Sequence, residues 1–351
     1  MEHALATNPP ARTPKTPPCC LDIGIFAHNE SDNIARTLET LNRQDILDNP
    51  DFIIRLHVLA NGCSDDTVAR AKAAIDTLPG ARDYVVHDLS EGGKSRTWNR
   101  FVHDLSRPEA DLLMFCDADI DIPNADNITR LVRYRESRPG RVAGSSQAVK
   151  DITYHAGPLS PKDRLISAAG GTLYNWQKSI IGSFYIAEAA VVRRFHLPIG
   201  LPVEDGFVRA MILTDVMRKP EDLNRIDSEE GIFHLYKSER SVRTILRHQV
   251  RLVIGNAINT VVFGILHASD TPQAVLASAA RDPDWLNGVL DRELPRKYGY
   301  VPVNALTKRI KKFGATPLKR KPVILVGFVF DCVVYVMAQF KMSRGVGAGF
   351  W

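Results

Sequence analysis

The sequence predicts an α/β fold: a mostly parallel central sheet with helices on both faces, plus a helical C-terminal region. Two patterns carry this expectation. Between residues 21 and 116, short apolar runs alternate with stretches of helical periodicity, and runs apolar on both faces suit strands covered from two sides. From Val242 onward, apolar residues at 242, 245, 246, 250, 253, 254, 257, 258, 261, 262 and 265 repeat at helical spacing.

Taken in order, "LDIGIF" (21–26) reads as the first strand, and "SDNIARTLETLNRQ" (31–44) as a helix capped by Ser31. Strand "FIIRLHVLA" (52–60), a helix over 65–77, strand "DYVVHDL" (83–89), a helix from Gly93 and strand "DLLMFC" (111–116) follow. Beyond "RVAGSSQAV" the alternation fades. Residues 164–181 read as helical, "GSFYIAEAA" (182–190) as a short strand, and a helix opens near Glu204. The 242–265 helix carries Arg243, Arg247, His248 and Arg251 on its polar face.

This order implies a tail over 1–20, a sheet domain over 21–236, a helical accessory region over 237–322 and an apolar helix over 323–351. The first twenty residues hold five prolines and no continuous apolar core, which reads as a disordered tail rather than a signal peptide. "VILVGFVFDCVVYVMAQF" (323–340) sits at the lower edge of a membrane-spanning length, yet Asp331 at its centre opposes a simple span. The net charge of +5 suits an anionic partner. The late basic runs "KRIKK" (308–312) and "KRK" (319–321) lack interleaved aromatic residues, so a membrane surface is expected before nucleic acid. Five cysteines without CxxC spacing read as reduced thiols and a cytoplasmic protein, with the inner membrane face as its nearest surface.

In parallel sheets, ligands bind beyond the carboxyl ends of the strands. "AHNE" (27–30), "NGCSDDT" (61–67) and "DAD" (117–119) all fall there, with "EGGK" (91–94) on the same side. Strand side chains alternate faces, so Asp117 and Asp119 are expected to share one face and lie close together. Two carboxylates about 4 Å apart repel by roughly 4 kcal/mol at an effective dielectric near 20, so a proton or a cation is required. A calcium loop is excluded, because its glycine and glutamate positions hold Ile122 and Ile128. "GGKS" lacks the first glycine of a P-loop, "GVGAG" is not GxGxxG, and HExxH is absent. What remains is an oxygen-rich site for Mg²⁺ or Mn²⁺ beside a nucleoside diphosphate.

Several short motifs in order resemble a family 2 glycosyltransferase of GT-A fold, from about residue 21 to about 250. "GIFAHNE" is similar to the family's opening strand and P-x-x-N-E element, with Phe26 in place of the usual proline. "ANGCSDDT" is similar to D-D-G-S-x-D-x-T, with Ala60 and Asn61 replacing the paired acids. Asp117-Ala118-Asp119 matches D-x-D, Glu204-Asp205 matches the later E-D, and "RTILRHQVR" loosely echoes Q-x-x-R-W.

The resemblance implies an inverting, metal-dependent transfer from a nucleotide-sugar donor to a hydroxyl acceptor, which the apolar C-terminus suggests is lipid-linked. It further implies that Ala27, Glu30 and Asn61 contact the nucleoside, that Asp65 and Asp66 brace their loop or bond the base, and that Lys94 approaches the diphosphate or ribose. Asp117 would sit near ribose and metal, and Asp119 would bind the metal directly. Asp205, with Glu204 beside it, would be the general base, and Arg247 and His248 would hold the diphosphate or acceptor. Plainer readings exist: Glu204 and Asp205 complement a helix dipole, Asn61-Gly62 makes a turn, and the basic residues form a wet helix face. A sugar-nucleotide pyrophosphorylase would need a glycine-rich opening where "FAHNESD" stands. A non-catalytic membrane-associated protein retaining the fold is the rival from another class.

Overall fold

A computed structural model describes residues 17–345 apart from 81, 155–174, 239–240, 298, 305, 307–312 and 314–320. Its centre is a six-stranded sheet in the order β3-β2-β1-β4-β8-β6. β1 (Cys19–Ala27), β2 (Phe52–Asn61), β3 (Tyr84–Leu89) and β4 (Leu112–Asp117) run parallel. β8 (Phe184–Glu188) then enters antiparallel to both β4 and β6 (Ala143–Ser145). A small second sheet orders β5 (Ile120–Asp121), β9 (Phe233–Tyr236) and β7 (Gln147–Lys150).

Strand alternation sends the two sides of the sheet into two cores. Ile23, Ile25, Val58 and Met114 pack with Ile34, Leu38 and Leu41 of α1 (Ile34–Asn42), while α2 (Thr67–Thr77) contributes Ala71. Phe26, Leu59 and Phe115 pack on the other side with Trp98 of α3 (Lys94–Asn99) and Phe101. That second core continues into the long helix Val242–His267 and the terminal helix Lys321–Ser343. The long helix places Val250, Ile254, Ile258 and Val262 at zero exposure. Each such side chain contributes about 1.5–3 kcal/mol on burial, which outweighs the exposed ion pairs.

One buried polar network crosses the sheet. Arg107 donates to both Asp22 oxygens, from Nε at 2.7 Å and from its backbone N–H at 2.6 Å. His57 bridges Asp22 at 3.3 Å and His87 at 3.1 Å. Burial alone would raise the Asp22 pKa, but the bonds from His57 and Arg107 hold it below its ordinary value.

Four expectations need correction. Cys19 and Cys20 belong to β1, so the tail is shorter than twenty residues, and residues 1–16 lie outside the described residues. Ser31 does not cap α1. The cap position is Asn33, and the Glu30 carbonyl accepts the N–H groups of Asn33 and Ile34 instead. Of the helix expected over 164–181, residues 164–174 lie outside the described residues, and 175–181 hold only the 3-10 turn Trp176–Lys178, which follows Asn175 in the left-handed region. Finally, β4 stops at Asp117. Asp119 is therefore placed by a turn rather than by strand alternation.

Candidate active site

Sheet register brings the loops together. Ala27 pairs with Ala60, Phe26 with Asp117 and Asn61 with Leu89, so β1, β2, β3 and β4 end side by side. The Asp117–Asp119 turn is pinned from two sides. The Ala118 N–H donates to the Phe26 carbonyl at 3.0 Å, and the buried Thr37 hydroxyl donates to the carbonyls of Ala118 at 2.8 Å and Ile120 at 3.1 Å.

Asn61 is fully buried, and its amide is engaged at both ends. Nδ2 donates to the Ala27 carbonyl at 2.8 Å, and Oδ1 accepts the Gly93 N–H at 3.2 Å. Asn61 thus ties β1 to β2 and both to the α3 turn. Gly62, at φ +56°, lies against Gly92 so closely that a Cβ would come within 2.7 Å of the Gly92 Cα. Only glycine serves both requirements there.

Asp65 accepts from the Thr67 N–H at 3.0 Å, the Thr67 hydroxyl at 2.5 Å and the Ser31 N–H at 3.2 Å. The Thr67 hydroxyl bond is the main cause holding its pKa down at about 2. Asp66 is exposed at the start of α2 and makes no side-chain cap. Glu30 accepts from Asn33 Nδ2 at 2.7 Å. Burial raises its pKa despite that bond, and the nearby charges of Asp119 and Asp65 add to the rise, while Lys237 opposes it.

Lys94 opens α3 after Gly93, and its ammonium sits at the centre of the site. Nζ lies 2.7 Å from Asp117 Oδ1, 2.9 Å from Asp117 Oδ2, 3.1 Å from Glu204 Oε1 and 3.2 Å from the Gly182 carbonyl. Burial alone would lower the Lys94 pKa, but Asp117 and Glu204 raise it well above the ordinary lysine value. Burial in turn lifts Asp117 to about 6, with Asp119 adding to the rise and Lys94 opposing it. The cation expected between carboxylates is therefore partly supplied by the chain itself, between Asp117 and Glu204.

Glu204 and Asp205 begin the helix Glu204–Leu213. Asp205 Oδ1 accepts the Gly206 N–H at 2.6 Å. Burial, then the charge of Glu204, raises Asp205 to about 6, against the attraction of Lys94 and Arg251. Asp205, Glu204, Lys94 and Gly182 line one small cavity with Phe26, Trp98, Phe115 and Tyr185. Tyr185 stacks on Phe115 at 4.4 Å, and its hydroxyl accepts from Trp98 Nε1 at 2.8 Å. Phe26, at the position where proline was expected, forms part of this aromatic floor.

The long helix holds the Glu204 segment in place. Asn259 Nδ2 donates to the Val203 carbonyl at 3.0 Å, and a Cβ on Gly255 would meet Val203 Cγ2 at 2.3 Å. Of this helix's basic residues, Arg251 acts on Asp205, whereas Arg247 is exposed. The sequence alone did not single out Arg251, Lys237, Tyr185 or Trp98 for the site. Arg251 follows Arg247 by one helical turn and shares its face, which was the available signal. Lys237 is brought in by the pairing of Ile120 with Tyr236 in the small sheet, which no sequence period reveals.

Among the described residues, no group of three or more His, Cys, Asp or Glu side chains is arranged to hold a metal. Both Asp117 oxygens face Lys94, and no hydrogen bond or ion pair within the described chain holds Asp119. One free carboxylate with a second close by fits Mg²⁺ or Mn²⁺, which commonly take one or two protein carboxylates together with substrate phosphates.

The profile of the family "Glycosyl transferase family 2" matches residues 22–197. No curated protein matches the chain. Among solved structures, the chain is similar to the mannosyltransferase PcManGT from Pyrobaculum calidifontis, in complex with GDP-Man and Mn²⁺, with a TM-score of 0.52 and 15% identity over 92% of this chain and 86% of that one. It is also similar to glucosyl-3-phosphoglycerate synthase from Mycobacterium tuberculosis, in complex with Mg²⁺ and uridine diphosphate, with a TM-score of 0.44 and 17% identity over 68% and 77%. At such identity the first likeness establishes a shared fold, and the second adds nothing to it.

Proposed function

The chain belongs to glycosyl transferase family 2 and has the GT-A fold, and on that premise we propose that it is an inverting transferase moving a sugar from a nucleotide-diphosphate donor to a hydroxyl acceptor. The observation that carries this reading is the meeting of three distant segments: Lys94, Glu204 and Asp205 line one cavity, and Asp117 is ion-paired to Lys94 beside it. Asp205 is a carboxylate raised to about 6 by burial, and a base in that range can take a hydroxyl proton at neutral pH. Inversion follows from the division of labour: a base on the acceptor side of the anomeric carbon and the leaving diphosphate on the other.

Lys94 orients Glu204 and Asp117 and adds positive charge beside the diphosphate. Glu30, with the backbone at Ala27, borders the nucleoside pocket, and Asn61 and Asp65 keep its loops in place. Asp66, exposed at the mouth of that loop, is left as a contact to the base. Arg251, whose charge acts on Asp205, with Arg247 and His248 on the same helix, offers an anionic substrate group its counter-charge. A divalent ion held by Asp119, with Asp117 beside it, would neutralise charge on the departing diphosphate. A hydroxyl on a lipid-linked acceptor, reached from the cytoplasmic side, is the acceptor class we favour.

The test is a screen of common sugar nucleotides with Mn²⁺, scored by release of nucleoside diphosphate, beside Asp205→Asn. Release with the unaltered chain and its loss in the variant support the proposal. No release from any donor removes it.

A further inference from the structure

The terminal helix Lys321–Ser343 carries an apolar face that nothing in the described chain covers. Leu325, Val326, Val329, Val333, Val336 and Phe340 are exposed by 50, 72, 63, 45, 65 and 54%. At 3.6 residues per turn these six fall within an arc of about 100°. The opposite side is the docked one. Val334, Ala338 and Met342 are buried in the core shared with the long helix. Gln339 accepts the N–H groups of Tyr300 and Val301 and donates to the Val301 carbonyl at 3.1 Å.

Among the described residues, two helices have the length and hydropathy of a membrane span, but they differ in burial. The richest stretch of Val242–His267 is 50% buried, as a core helix should be, whereas that of the terminal helix is only 11% buried. Asp331 resolves the objection raised by the sequence. It lines a small pocket with Gln249, Val253, Val334 and Tyr335, on the side facing the long helix, so the exposed stripe carries no acid.

Charge identifies what covers the stripe. From 294 to 351 the sequence has eleven lysines and arginines and one acid, and that acid is Asp331. Lys321 starts the helix, Lys341 and Arg344 lie at its end, and the Arg344 guanidinium sits 4.1 Å over the Phe340 ring. A second copy of so basic a segment would repel this one. An anionic bilayer offers it both an apolar interior and counter-charge.

We infer that the terminal helix lies in the plane of an anionic membrane, its Leu325–Phe340 stripe sunk between headgroups and its basic ends on lipid phosphates, with the catalytic domain held against the surface. A crossing helix would have to leave the long helix and carry Asp331 and Gln339 into lipid, which disfavours a span. This inference does not depend on the transferase reading, because lipid binding is measured without turnover.

The experiment is vesicle flotation of the full chain. Vesicles of phosphatidylcholine with about one-third phosphatidylglycerol are compared with phosphatidylcholine alone. The inference expects at least about tenfold stronger binding to the anionic vesicles, reversal by salt and release by alkaline carbonate. Val329→Glu with Val336→Glu, both at exposed positions, should lower binding at least about tenfold with an unchanged thermal midpoint. Lys341→Glu with Arg344→Glu should act in the same direction. Absence of binding, or equal binding by the apolar-stripe variant, overturns the inference. Retention through carbonate would show a crossing helix instead. Dimerisation lost in the stripe variant, without vesicle binding, would show that a second copy covers the face.

Discussion

Asp205→Asn should make the protein more stable while removing its activity. The unfolded carboxyl ionises near 3.8, whereas burial and Glu204 delay ionisation in the folded chain to about 6. Sustaining that charge at neutral pH costs the native state about 3 kcal/mol, and about 1–2 kcal/mol after allowance for solvent at the cavity mouth. Asparagine removes the charge, and its Oδ1 can still accept the Gly206 N–H. Because the folded pKa is raised, the carboxyl favours folding below pH 3.8 and opposes it increasingly as pH rises through about 6. Thermal or denaturant unfolding should therefore find the variant about 1–2 kcal/mol more stable at pH 7.5, with the gap closing toward pH 4. Turnover should fall by about 10²–10⁴-fold, with donor affinity within a few-fold. Equal or lower stability at pH 7.5, or turnover like that of the parent, would refute the account of this residue.

Lys94→Met should cost about 2–4 kcal/mol at pH 8, because Asp117 and Glu204 lose their counter-ion, and part of that loss should return as the pH is lowered, since Asp117 without the lysine that holds its pKa down takes up a proton more readily; urea titrations at pH 8 and pH 6 check this. Gly255→Ala should destabilise by about 1–3 kcal/mol and lower kcat more than donor affinity, since its methyl must push Val203 and with it Glu204. Asp119→Asn should leave the unfolding free energy within about 0.5 kcal/mol yet abolish Mn²⁺-dependent donor binding in calorimetry, and chelation should reproduce that loss in the unaltered chain. Arg107→Met should destabilise by about 3–5 kcal/mol, the cost of leaving the fully buried Asp22 without its guanidinium.

Much of the sheet half was legible because its signals are local. The runs around Ile23, Val58 and Met114 are apolar on both faces, and the polar loops fall after them, so their meeting at one rim follows from parallel topology alone. The turn that sets Asp119 was not legible, since it depends on Thr37 in α1 reaching across to the Ala118 carbonyl. Nor was the engagement of Lys94, because Asp117 and Glu204 are far apart in sequence and nothing local announces their pairing. β8 was found as a strand but its direction was not, since an antiparallel insertion carries the same residue pattern as a parallel one. Ser31 misled because a good capping residue matters only where the backbone places it, and here the Glu30 carbonyl begins the helix.

The Trp98 indole, stacked on Phe115 and bonded to Tyr185 at the rim of the cavity that holds Asp205, gives the protein an internal optical reporter. Its emission responds to the field of the carboxylates beside it. With Trp176, Trp285 and Trp351 replaced by phenylalanine, a fluorescence titration can therefore follow filling of that cavity without label or coupled assay.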